Sequence, residues 1–226
     1  MKTLVADIGG TNSRLAIAIT SRQDKEITLK NIHKFRNSDF NNFDEVIKRY
    51  LSISDERSIS RMCIAAAGII SDTTVEMSNL NWKITVPSLQ KTAKIDEVFI
   101  INDLQAQGYA LDFIEPNDLE ELIEGSYSKG PNDTKLVCGM GTGFNVAIAY
   151  QTAFGTFVPA SEYGHARTTT ANEKQKMIVK KLEENSSFVS YENILAGPGL
   201  NRLDQVLNQR KDRTPSDILS AAQEGD

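Results

Sequence analysis

The 226-residue chain predicts an α/β fold built as two related lobes, for three reasons. It opens with an antiparallel run of strand-like segments and then alternates strands with helices, the pattern of a mixed sheet covered by helices. The stretch Asp7-Ile8-Gly9-Gly10-Thr11-Asn12-Ser13-Arg14-Leu15-Ala16-Ile17 is echoed by Gly139-Met140-Gly141-Thr142-Gly143-Phe144-Asn145-Val146-Ala147-Ile148-Ala149. In each, an apolar run enters a Gly-rich turn carrying a Thr and a second apolar run leaves it, as in a β-hairpin. Between the two copies, Tyr127-Ser128-Lys129-Gly130-Pro131-Asn132-Asp133 is polar and rich in turn formers. This sets the expected boundary between a first lobe of residues 1–126 and a second of residues 134–226.

In chain order, strands are expected near Thr3–Asp7, Arg14–Thr20 and Glu26–Phe35, then a helix near Phe43–Leu51. Arg61–Ala67 reads as a buried strand and Thr73–Met77 as a short one. Pro87 suits a first helical turn and starts a helix ending near Lys94. Glu97–Asn102 reads as a strand running into a helix over Leu104–Leu111, which completes a first-lobe sheet of about five strands, near the usual size. In the second lobe, Lys135–Cys138 and Val146–Tyr150 repeat the hairpin, and helices follow at Ala171–Leu182, Pro198–Leu207 and from Pro215. No further long apolar strand or return crossover is seen there, so the second lobe is expected to be incomplete.

Composition narrows the function classes. Hydrophobic residues make up 40% of the chain and the net charge is −5. No apolar run approaches the roughly 18 residues of a membrane span, and the acidic Asp7 interrupts the start where a signal peptide stays apolar. A soluble, cytoplasmic protein with no membrane partner is expected. Basic residues are scattered without a stripe interleaved with aromatics, which argues against nucleic acid as a partner. Cys63 and Cys138 lie in apolar runs without zinc-ligand spacing, so both are expected as buried, reduced thiols.

The two turns have a chemistry in common. Glycines let backbone N–H groups converge on an anion without Cβ obstruction, and a Thr hydroxyl adds a donor, so each turn suits phosphate. Asp7, at the end of the first strand, supplies the kind of carboxylate that hydrated Mg²⁺ takes. Arg14 reads equally as a phosphate ligand or as an ion-paired strand residue. Asp103 follows a buried strand at the carboxyl edge where open α/β sheets place ligands. It suits either a helix cap or a general base. Glu162 and His165, three residues apart around Gly164, form a surface pair or present both side chains to one polar ligand.

These turns resemble the first and second phosphate motifs of the sugar kinase, Hsp70 and actin superfamily. Within it, the chain resembles the bacterial ATP-dependent glucokinases from Met1 almost to its end. Further anchors are Asn79-Leu80-Asn81-Trp82, Ile101-Asn102-Asp103, Glu162-Tyr163-Gly164-His165 and Tyr191-Glu192-Asn193-Ile194-Leu195-Ala196-Gly197-Pro198-Gly199. The resemblance implies a two-lobed ribonuclease H-like (actin-like ATPase) fold and transfer of the γ-phosphate of ATP to the 6-hydroxyl of glucose, with Mg²⁺, in a cleft between the lobes. It implies Asp103 as catalytic base and Asn79, Asn102, Asp103, Glu162, His165 and Glu192 as sugar-binding residues. Asp7, Gly9, Gly10, Thr11, Gly141, Thr142 and Gly143 would hold nucleotide phosphates, with Asp7 reaching Mg²⁺ through water. A kinase for another hexose and a non-catalytic sugar-binding or regulatory protein are the alternatives.

Three residues depart from the family pattern. Asn145 replaces the Gly common after the second turn and is expected to disturb nucleotide fit. Tyr163 stands where Gly is frequent and is expected to narrow the sugar pocket against bulky 2-substituents. Ile69 stands where Pro is usual. The family also continues past this point with an adenosine-binding Gly-Gly turn and a closing helix. An apolar face near Ile178, Val179, Leu195 and Leu200 is therefore expected to be covered by self-association, as in a homodimer.

Overall fold

The computed structural model describes residues 1–21, 27–56, 58–77, 80–124, 134–184, 186–210 and 212–225. The chain forms two compact units, Met1–Gln107 and Gly108–Asp226. In the first unit the order is β1 (Lys2–Ile8), β2 (Asn12–Thr20), β3 (Ile27–Arg36), α1 (Phe43–Ser54), β4 (Arg61–Ala66), β5 (Gly68–Ser71), β6 (Thr74–Met77), β7 (Lys83–Thr85), α2 (Val86–Ala93), β8 (Glu97–Asn102) and the start of α3 (Asp103–Ala110). Five strands form one sheet in the order β3-β2-β1-β4-β8. β1, β2 and β3 pair antiparallel, whereas β4 and β8 run parallel to β1 and to each other. The short strands β5, β6 and β7 form a separate antiparallel sheet.

Helix α1 forms because Asn42 caps it, accepting from Glu45 N at 3.1 Å, and because Phe43, Val46, Ile47 and Tyr50 recur on one face. That face is fully buried with Leu4, Ile8, Leu15, Ile17, Met62 and Ile64 from the sheet and Leu89 from α2. At about 1.5–3 kcal/mol per fully buried large apolar side chain, this cluster is the main stabilising feature of the unit. Asp44 links the two helices, accepting from the hydroxyls of Ser88 at 2.9 Å and Thr92 at 2.5 Å.

The second unit contains β9 (Thr134–Met140), β10 (Phe144–Thr152), β11 (Gly155–Phe157), α4 (Glu173–Glu183), α5 (Glu192–Leu195), α6 (Gly197–Asn208) and α7 (Pro215–Gln223). The three strands pair antiparallel in the order β11-β10-β9. Asp112 accepts from Lys135 Nζ at 2.6 Å, from Gln151 Nε2 at 3.0 Å and from the Thr156 hydroxyl. These donors hold its carboxyl well below the usual range. They also tie the segment after Gly108 to this sheet, although the sequence groups residues up to 126 with the first lobe. The polar stretch 127–133 lies outside the described residues.

Cys138 is exposed rather than buried. The residues of β9 alternate in burial, and Cys138 shares its open face with Leu136 and Met140. Cys63 is half-buried, and burial pushes its thiol pKa up. No residue of α4 is fully buried, with Ile178 and Val179 half-buried and Leu195 exposed. Among the described residues, no helix is long and apolar enough to cross a membrane.

Tyr50 gives a test of the first core. Its ring is fully buried, its hydroxyl donates to the Asn31 carbonyl at 3.0 Å, and burial, then the nearby Glu56, pushes its pKa up from 10.0 to about 12. A folded-state pKa above the unfolded one means that the contribution is complete below pH 10.0 and lost as pH rises through about 12. At neutral pH, Tyr50→Phe should lose roughly 0.5–1.5 kcal/mol for the hydrogen bond. In urea unfolding measured from neutral to strongly alkaline pH, the advantage of the parent over the variant should shrink above pH 10.0. A constant difference across that range would contradict the assignment.

Candidate active site

In the first unit the carboxyl edge of the sheet gathers the predicted groups. Pairing sets Asp7 opposite Ala65 and Ile8 opposite Ala66 on β4, and Ala66 opposite Asn102 on β8. Asp7 and Asn102–Asp103 therefore leave parallel strands at the same edge, two strand spacings or roughly 10 Å apart. The strand between them ends in the small residues Ala65 and Ala66. Asp7 pairs with Arg14, Nη1 to Oδ2 at 3.2 Å, and both side chains are more than half exposed. This is the ion-paired reading of Arg14, and solvent keeps the pair weak and exchangeable.

The β1–β2 turn, Gly9–Thr11, is shaped by a residue that sequence reasoning did not single out. Asn37, 2% exposed, donates from Nδ2 to the Gly9 carbonyl at 2.8 Å and accepts at Oδ1 from the Ser13 hydroxyl at 2.7 Å. Its backbone N–H donates to the Thr11 carbonyl at 2.9 Å. Within the turn, Gly9 N donates to Asn12 O at 3.0 Å. A turn that begins with two glycines is thus fixed by one residue arriving from beyond β3.

At the end of β8, the helix cap belongs to Asn102 rather than to Asp103. Leu104 N donates to Asn102 Oδ1 at 2.9 Å, and Asn102 N donates to Gln105 Oε1 at 3.1 Å, a reciprocal cap. Asn102 is buried, whereas Asp103 is half-buried at the first helical position, with Oδ1 accepting from Leu104 N at 2.9 Å. Asn79 lies outside the described residues.

The second unit brings its predicted residues close to one another. The β9–β10 turn, Gly141–Gly143, is closed by Gly141 N donating to Gly143 O at 2.9 Å. Gly197 N braces it by donating to the Gly141 carbonyl at 2.8 Å. Phe144 N donates to Glu192 Oε2 at 3.0 Å, and a Cβ on Gly143 would lie 2.8 Å from that oxygen. Glycine at 143 is thus favoured by the approach of Glu192, whose carboxylate a side chain there would push aside. Glycine at 141 is not, because a Cβ there would meet nothing within 4 Å, which leaves space for a group arriving from outside.

Glu162 and His165 flank a 3-10 turn, Tyr163–His165, with Oε2 and Nε2 3.9 Å apart and both side chains more than half exposed. Gly164 is needed there, since a Cβ would strike the Phe144 carbonyl. Tyr191 N donates to Ala166 O at 3.1 Å, and Arg167 bridges to Ser190, so the segments bearing Glu162 and Glu192 run side by side. Tyr163 stacks on Tyr191 with ring centroids 5.5 Å apart, and the Tyr191 and Thr169 hydroxyls are hydrogen-bonded at 2.9 Å. Asn145 binds Ser161 and Gly164 of the same loop through its side chain.

Two carboxylates at one sheet edge, two braced glycine turns and a cluster of exposed polar side chains suit the handling of a phosphate and a polyhydroxyl compound. A model of the glucokinase family matches residues 4–226. The chain belongs to the glucokinase family. It is 28% identical over 228 residues to glucokinase of Saccharophagus degradans, covering 98% of this chain and 70% of that protein. Against glucokinase of Erwinia tasmaniensis it is 30% identical over 215 residues, covering 95% of this chain and 65% of that protein. The chain thus spans about two thirds of the length of these relatives. The crystal structure of a glucokinase from an Antarctic psychrotroph superposes with a TM-score of 0.83 at 29% identity, covering 99% of this chain and 71% of that one. The expected actin-like ATPase fold is therefore the fold of this chain.

The Asn37 bracing can be tested directly. Asn37→Ala strands the buried Ser13 hydroxyl and leaves the Gly9 carbonyl without its side-chain donor, so unfolding free energy should fall by about 1–3 kcal/mol. Amide exchange in residues 9–13 should also accelerate. Unchanged stability and unchanged exchange would contradict the bracing role.

Proposed function

We propose that the protein transfers the γ-phosphate of ATP to the 6-hydroxyl of glucose, giving glucose 6-phosphate and ADP. The observation that favours this reading is the common sheet edge of Asp7 and Asp103, one carboxylate suited to a phosphate-bound cation and the other to an attacking hydroxyl. The Asp103 carboxylate accepts a hydrogen bond from the 6-hydroxyl, directs its lone pair at phosphorus and takes the proton as the new P–O bond forms. Asn102, Glu162, His165 and Glu192 bind the remaining sugar hydroxyls, with Asn79 as a further sugar-side residue. Their carboxylates and amides select one epimer because a wrong one leaves polar groups unpaired. The stacked Tyr163 limits space for a large 2-substituent.

The turns at Gly9, Gly10 and Thr11 and at Gly141, Thr142 and Gly143 hold the phosphates through backbone N–H groups and threonine hydroxyls. Asp7 would hold Mg²⁺, through water. The exposed Asp7 carboxylate and the open space beside Gly141 fit those two groups. When bound, Mg²⁺ supplies neutralisation of the phosphate charge that develops during transfer. This function places the protein in the cytoplasm, where ATP and free hexose meet.

Two substitutions in the full-length protein test the roles. Asp103→Asn should retain glucose affinity while turnover with MgATP falls by about 10² to 10⁴. Turnover within a few fold of the parent would remove the base assignment. Glu162→Gln should weaken glucose binding by roughly 1–3 kcal/mol in calorimetry, with ATP affinity little changed. Loss of ATP affinity with intact glucose binding would reverse the assignment of the two halves.

A further inference from the structure

Asn145 is the second residue of β10, two residues past the second glycine turn, where the family resemblance leads one to expect glycine. Its side chain makes contacts that a glycine could not make. Nδ2 donates to the Ser161 carbonyl at 2.6 Å, and Oδ1 accepts from Gly164 N at 3.3 Å and from Val146 N at 2.9 Å. Ser161 and Gly164 bracket Glu162, and His165 follows immediately. One planar amide thus grips both ends of the loop that bears two of the proposed sugar ligands. The adjoining residue, Phe144, is the one whose N–H meets Glu192 and whose carbonyl lies against Gly164.

From this geometry we propose that Asn145 is a positioning residue that fixes the 161–165 loop to the strand leaving the second turn, and so sets the affinity for glucose. The expected disturbance of nucleotide fit does not follow from these contacts, since the side chain is engaged by the loop. The requirement is for an amide. Aspartate keeps the acceptor for Gly164 but sets a carboxylate oxygen against the Ser161 carbonyl, and glycine loses both contacts. The proposal rests on the sugar-binding role assigned to Glu162 and His165 above.

The test uses the full-length protein and its Asn145→Gly and Asn145→Asp variants. Hydrogen exchange of residues 161–166, glucose calorimetry, and steady-state kinetics with glucose and MgATP are measured on each. Loss of one or two neutral hydrogen bonds corresponds to about a ten-fold rise in glucose Kd and KM. The KM for ATP and kcat should each move by less than about three-fold, and exchange in the loop should accelerate. Variants with the parent's glucose affinity, in a parent that binds glucose, would overturn the positioning role alone. Equal falls in kcat with unchanged KM would also overturn it, since they point to a loss of folded enzyme. A parent that binds no glucose would overturn the proposed function and, with it, this role for Asn145.

Discussion

The glycines of a glycine-rich turn have no side chains with which to hold its shape, so its backbone must be fixed from outside before its N–H groups can serve an anion. Both turns of this chain meet that constraint by borrowing polar atoms from distant segments. Asn37 grips the first through Gly9 O and Thr11 O. Glu192 and Gly197 grip the second through Phe144 N and Gly141 O. Preorganised donors of this kind are what electrostatic stabilisation of a transferring phosphoryl group requires.

The same contacts join the two kinds of chemistry within the second unit. Glu192 is a proposed sugar ligand, yet its Oε2 accepts from the first residue after the phosphate turn. A ligand that draws on this carboxylate therefore also acts on the backbone next to the proposed phosphate turn. In the first unit the coupling is through the sheet itself. Parallel pairing of β1, β4 and β8 fixes Asp7 and Asp103 at one edge, and a one-residue slip would turn every side chain of a strand to the opposite face.

Much of this was legible in the sequence because strong periodicity and turn chemistry coincide. Asp7 to Ile17 and Gly139 to Ala149 announce hairpins by themselves, and the observed β1, β2, β9 and β10 follow within a few residues. The short strands β5, β7 and β11 and the four-residue α5 escaped because three or four residues are too few to show a period. Asn37, and the loop contacts of Asn145, escaped for another reason. Their partners lie up to 28 residues away, and neighbouring sequence holds no trace of such contacts. Asp103 resembled a cap because Asn and Asp share that preference, and only the hydrogen bonds of Asn102 decide between them. Cys138 belongs to an apolar run whose alternate residues face outward, so composition alone overstated its burial.

The destination of the phosphoryl group decides between transfer to sugar and simple hydrolysis. Phosphorus NMR of the full-length protein with ATP, Mg²⁺ and glucose follows it atom by atom. The γ-phosphate signal should disappear only when both Mg²⁺ and glucose are present, and should reappear as a phosphomonoester on the sugar 6-oxygen. Release of inorganic phosphate at the same rate with and without glucose, with no sugar phosphate formed, would contradict it.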